Sequence, residues 1–211
     1  MEETGSHSVI PCMIPSMTTF KASMEKESNL FADLFEGLTA WRVEADACSM
    51  LNIVLVEPEI PQNTGNISRT CSATATRLIL VHPLGFNLDE RHLRRAGLDY
   101  WDRLDLVQYP SREAFLEEHG KDRLVLFSAR CNRSFFDLDL SARDEEDIYF
   151  VFGRESCGLG RDMTERFHDS CVRLPMIAGT RSLNLSNTVA VATYEYYRQQ
   201  GFPPPMSCAD G

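Results

Sequence analysis

The sequence predicts an α/β fold, a mostly parallel sheet flanked by helices. Three observations carry this. From residue 51 onward, short runs rich in Val, Ile and Leu alternate with segments of helical period. Most of those runs are continuously apolar, which suits strands covered on both faces. The 211 residues, 43% hydrophobic and 25% charged, also suffice for one full-sized core.

The first strand is expected at 51–57, LNIVLVE, and the second at 77–82, RLILVH. Further strands are expected at 104–109, 123–128, 148–152 and 171–174, each a compact apolar run. Helices are expected between them, at 63–75, 89–96, 111–119, 161–168 and 184–199. In the first, Asn63 is a helix-capping type, and Ile67 and Cys71 fall on one inward face. The last carries the apolar stripe Leu185, Val189, Ala192 and Tyr196, and the run GFPPPM then stops it. No internal repeat is visible.

Residues 1–49 read differently, as an N-terminal extension that is disordered or forms a single helix over 28–41. Met50 opens a stretch that resembles a natural start, so the body is expected to span 50–211. The opening MEETGSHSV is acidic and no apolar stretch follows, which points to the cytoplasm. No run is long and apolar enough to cross a bilayer. The seven cysteines show no C-x-x-C spacing and read as reduced structural thiols. With five scattered histidines, the pattern offers no metal site.

The net charge of −10 divides evenly, because residues 1–49 hold eight acidic and three basic side chains. The body is therefore acidic too, and any nucleic-acid contact must come from a local basic patch. Several chemistries lose their support. No G-x-G-x-x-G follows the first strand, GRESCGLG lacks the ending of a P-loop, and no G-x-S-x-G elbow occurs.

Three segments remain. The first is Pro61-Gln62-Asn63-Thr64-Gly65-Asn66-Ile67-Ser68-Arg69, where Asn66 and Arg69 share a face suited to phosphate and ribose. By itself it reads more readily as a capped helix with one solvated arginine. The second ends a buried strand at Gly153, with Glu155 at the carboxyl edge where open α/β sheets place their sites. There the missing side chain is expected to let a ligand approach the backbone. The third runs from Leu174-Pro175-Met176 to Thr180-Arg181-Ser182-Leu183-Asn184-Leu185-Ser186-Asn187, with more capping groups than one helix needs.

In this order, N-x-G-N-x-x-R, F-G-x-E-x-x-G-L and S-L-N-L-S-N resemble the three signature regions of the SPOUT (α/β-knot) methyltransferases. The resemblance covers residues 50–202. The opening MLNIVLVEPEIPQNTGN and the stretch LRRAGLDYW are similar to the TrmL-type tRNA (cytidine/uridine-34) 2′-O-methyltransferases, which modify the wobble ribose of certain leucine tRNAs. Arg154 and Cys157 fill variable places, and Gly160 stands where proline is frequent.

The resemblance implies a C-terminal trefoil knot and a homodimer whose site is completed across the interface. It implies S-adenosylmethionine as cofactor, bound by Phe127, Gly153, Leu174, Met176, Ser182 and Leu183. It places Arg69 at the reaction, with Asn63, Glu155 and Asn184 as neighbours, and no metal. The RNA partner, a tRNA anticodon stem-loop, is expected to meet Arg91, Arg94, Arg95 and Tyr100. Two readings stay open beside it. One is 2′-O-methylation of ribosomal RNA or another tRNA position, and the other is a catalytically silent knotted RNA-binding module.

Overall fold

The computed structural model describes residues 51–87, 104–141 and 146–202. The extension 1–49, the helix expected at 89–96 and the cluster Arg91, Arg94, Arg95 and Tyr100 lie outside the described residues. In chain order the elements are β1 (Leu51–Val56), α1 (Pro61–Ala73), β2 (Arg77–Val81), β3 (Leu106–Tyr109), α2 (Arg112–His119), β4 (Arg123–Phe127), β5 (Ile148–Phe152), α3 (Gly160–Arg166), β6 (Cys171–Val172) and α4 (Leu185–Gln200). All six expected strands form, with ends shifted by no more than two residues. Single 3-10 turns at Phe135–Asp137 and His168–Ser170 are not legible in the sequence.

The strands make one sheet in the order β3-β2-β1-β5-β4-β6. Every pairing is parallel, with Leu55 of β1 beside both Leu80 and Phe152. The continuous apolar runs follow from this layering, since each central strand is buried on both sides. One face places Leu51, Ile53, Leu55, Phe150 and Phe152 against Ile67 and Cys71 of α1 and Val189, Ala192 and Tyr196 of α4. The other packs Val54, Ile79, Leu126 and Val151 against Phe115 of α2 and Met163 of α3. Each fully buried Val, Leu, Ile, Phe or Met side chain among them contributes roughly 1.5–3 kcal/mol.

The helix ends differ from expectation in one respect that bears on the site. Asn63 does not cap α1. The helix starts after Ile60, with Pro61 in its first turn and no side-chain cap. Asn63 is thus inside the first turn, and its amide can act elsewhere. Asn184 is the true cap of α4, accepting from the Ser186 N–H, and Gly201 closes that helix at φ 76°. Tyr197 ties α4 to α1, donating from its hydroxyl to the Thr74 carbonyl at 3.1 Å.

The cysteines also depart from expectation. Cys131 and Cys171 form a disulfide, with Cα atoms 6.0 Å apart and a separation of 40 positions in sequence. Spacing could not reveal this, because the parallel pairing of β4 with β6 is what brings the two together. Cys71 behaves as expected of a structural thiol, since burial pushes its pKa well above the ordinary value. Closing a loop of that length stabilises an oxidised chain by roughly 4 kcal/mol on the chain-entropy model. Cys131→Ser is therefore expected to lower the urea midpoint of the protein purified without reductant. Wild type treated with a reductant should fall to the same value, and equal midpoints throughout would show that the pair is not bridged.

Candidate active site

The carboxyl ends of β1, β5, β4 and β6 lie side by side, and the segments leaving them line a pocket of about 510 Å³. Phe127, Gly153, Leu174, Met176, Ser182 and Leu183, all expected at a cofactor site, line it. Phe127 is fixed by stacking on Phe152, ring centroids 4.5 Å apart, and by Phe135 at 4.9 Å. A rigid apolar wall results, as small-molecule sites require.

Three further expected residues form one hydrogen-bonded chain across the pocket. Glu155 Oε2 accepts from the Glu59 N–H at 2.8 Å, and Oε1 accepts from the Ile60 N–H at 3.3 Å and Asn63 Nδ2 at 2.9 Å. Asn63 Oδ1 accepts from Asn184 Nδ2 at 2.9 Å. Asn184 Oδ1 then accepts from the Ser186 N–H and hydroxyl at 2.9 and 2.7 Å. Residues 92 and 121 positions apart are thereby joined, linking all three sequence segments through side chains.

The reverse strap is present too. The Glu59 carboxylate accepts from the Ser156 N–H at 3.0 Å and the Ser156 hydroxyl at 2.9 Å. Arg154 pairs with Glu57, which sits in the left-handed region at φ 53° as β1 turns toward α1. The loops after β1 and β5 are thus clasped by charge-assisted bonds in both directions. Glu155, with both oxygens engaged by donors, holds these loops in place.

Gly153 is needed for a further reason that the sequence does not suggest. A Cβ built there would lie 2.1 Å from the Gly158 carbonyl carbon and 2.2 Å from the Leu159 nitrogen. The room left by the missing side chain is filled by the chain's own backbone, because residues 153–159 fold back on themselves. Gly158 assists at φ 71°, and its N–H donates to the Arg154 carbonyl at 2.8 Å.

Arg69 is not part of this wall. It lies on the exposed side of α1, beside exposed Asn66, and does not line the pocket. Arg130 and Arg173 do line it, and sequence reasoning missed them. Their signal was position, since Arg130 falls three residues past the carboxyl end of β4 and Arg173 directly follows β6.

Residues 50–194 match the model of the SpoU rRNA Methylase family. The chain belongs to that family. Over 156 residues this SpoU methylase is 47% identical to the tRNA (cytidine(34)-2′-O)-methyltransferase of Burkholderia ambifaria, covering 72% of this chain and 97% of the relative. It is also similar to a solved structure described as giving insight into 2′-OH methylation of C/U34 on tRNA. That match has a TM-score of 0.65 and 45% identity, over 72% of this chain and 97% of the other. AviRb of Streptomyces viridochromogenes, solved with AdoMet, shares the fold at TM-score 0.60 and 23% identity, over 72% of this chain and 61% of its own.

Proposed function

We propose that this SpoU methylase transfers a methyl group from S-adenosylmethionine to the ribose 2′-oxygen of nucleotide 34, the wobble position, of tRNA, with leucine tRNAs as substrates. The observation that carries the reading is the Glu155–Asn63–Asn184 chain closing an apolar-walled pocket at the sheet's carboxyl edge. It gains weight from a family in which a 47%-identical relative bears that activity in its name.

The residues suit the group. A pocket of about 510 Å³ with Phe127, Leu174, Met176 and Leu183 as apolar wall has the size and lining of a small-molecule site. Main-chain groups at Gly153 and Ser182 supply polar contacts, and no metal takes part. S-adenosylmethionine, when bound, supplies a methyl group activated by its positively charged sulfur. Everything else falls to this chain: the apolar wall excludes water, and the Glu155 clasp keeps the loops in register. Arg69 holds a phosphate and the 2′-hydroxyl of the acceptor. A guanidinium stays protonated, so Arg69 orients the nucleophile and does not accept its proton.

A homodimer belongs to the same reading. Arg69 lies off its own chain's pocket, while α4 presents Val191 and Tyr194 at 42% and 50% exposure. A second copy that covers this face and offers its own Arg69 to the pocket completes the site. Sedimentation at twice the 23.9 kDa chain mass is expected, and a fully active monomer overturns it. The trefoil knot fits a chain that leaves β6 at the sheet edge and returns as α4 against α1. Residues 50–211 form the methyltransferase domain, with 1–49 as an extension, and Arg91, Arg94, Arg95 and Tyr100 meet the anticodon stem-loop.

The enzyme acts in the cytoplasm; among the described residues no helix is long and apolar enough to cross a membrane. A disulfide is uncommon in that compartment, so Cys131 and Cys171 are expected as a dithiol whenever the surroundings are reducing. The family's description favours a second reading, methylation of ribosomal RNA. One experiment addresses both. Unmodified leucine tRNA and ribosomal RNA are each incubated with enzyme and deuterated-methyl S-adenosylmethionine, and the nucleosides are mapped by mass spectrometry. Label at the 2′-oxygen of nucleotide 34 is expected. Label confined to ribosomal RNA, or no affinity for S-adenosylhomocysteine, overturns the proposal.

A further inference from the structure

The charged side chains of the pocket wall are Arg130, Arg154, Arg173 and Glu155. Arg154 is neutralised by Glu57, and Glu155 is satisfied by the N–H groups of Glu59, Ile60 and Asn63. Elsewhere the acidic chain pairs its arginines readily, as in Arg77–Asp105, Arg112–Asp162 and Arg198–Glu195. Arg130 and Arg173 stand apart among the charged groups of this wall. Among the described residues neither guanidinium has an ion pair or a side-chain hydrogen bond.

Their backbones are nonetheless firmly held. The Ser128 N–H donates to the Val172 carbonyl, the Arg173 N–H to the Arg133 carbonyl and the Phe135 N–H to the Arg173 carbonyl, each at 2.9 Å. Residues 129–132 form the crest between these bonds, with exposed Arg130 next to the Cys131–Cys171 bridge. Two cations are therefore borne on adjoining, backbone-anchored segments at one pocket, in a chain of net charge −10, with no carboxylate paired to either among the described residues. Like charges lining one pocket are stabilised when an anion binds between them. Guanidinium forks match phosphate oxygens in bidentate geometry.

We propose that Arg130 and Arg173 form a clasp for the RNA phosphates that flank the ribose being methylated. This rests on the methyl-transfer reading above, which brings a ribose with a phosphate on either side to this pocket. The clasp supplies, from the wall itself, the local basic patch that an acidic protein needs to hold RNA.

The test uses the full chain with Arg130→Gln, Arg173→Gln and the double substitution. Affinity for S-adenosylhomocysteine is measured by calorimetry. Affinity for a leucine-tRNA anticodon stem-loop is measured across a salt series. The double variant is expected to keep its S-adenosylhomocysteine affinity and lose RNA affinity on the order of tenfold at low salt. Its plot of log affinity against log salt should flatten by about 0.7–0.9 for each phosphate no longer neutralised. Lysine at both positions should restore the salt slope and only part of the affinity. Unchanged RNA affinity and slope overturn the clasp. So does a loss confined to S-adenosylhomocysteine, which would assign the arginines to the carboxylate of the methyl donor. A wild-type protein that binds neither S-adenosylhomocysteine nor RNA defeats the methyl-transfer reading, and the clasp falls with it.

Discussion

Replacing Gly153 with alanine is expected to abolish methyl transfer and to lower stability by about 3 kcal/mol. The added Cβ meets main-chain atoms at 2.1 and 2.2 Å, and no rotamer change relieves a clash with backbone. Residues 153–159 must then move away from β5, carrying Glu155 with them. Once Glu155 leaves, the Glu59 and Ile60 N–H groups lose their acceptor and Asn63 loses its orientation. One methyl group thereby dismantles both the pocket wall and the clasp between loops. Gly179→Ala is a suitable control, because no atom lies within 4 Å of its added Cβ and only its φ of 81° opposes the change. That should cost about 1–2 kcal/mol with donor binding kept. Urea unfolding and S-adenosylhomocysteine calorimetry read both variants, and a Gly153→Ala protein with wild-type values would contradict the folded-back loop.

Arg69→Ala is expected to behave in the opposite way, leaving donor affinity intact while slowing methyl transfer by about 100-fold or more. Arg69 neither lines the pocket nor bonds to the Glu155 chain, so removing its guanidinium takes no atom from either. The loss should appear in the single-turnover rate with RNA saturating, since orientation of the 2′-hydroxyl is what fails. A variant with near-wild-type turnover removes Arg69 from the mechanism. The two variants also separate the pocket from the chemistry: one loses the site and the other keeps it idle.

Much of this is legible in the chain itself. Continuous apolar runs such as LNIVLV and IYFVF specify buried parallel strands, and the stripe Leu185–Val189–Ala192–Tyr196 specifies the inner face of α4. The segments around Asn63, Glu155 and Asn184 draw attention because their polar groups exceed what local structure needs. Local reasoning misassigns one residue within them and leaves another incomplete. Asn63 reads as the cap of a helix it sits inside, and Gly153, which lines the pocket, is also required because its missing side chain admits backbone. In both cases the deciding partner lies elsewhere in the chain.

The sequence alone determined the α/β class, the strand positions and the three segments that converge, because periodicity and turn chemistry act over a few residues. The tertiary structure decided which side chains meet, Glu155 with Asn63, Asn184 with Asn63 and Cys131 with Cys171, and it put Arg130 and Arg173 on one pocket wall. Those pairings depend on the order in which strands lie in the sheet. Strand order is set by packing the whole core at once, and no local window of sequence contains it.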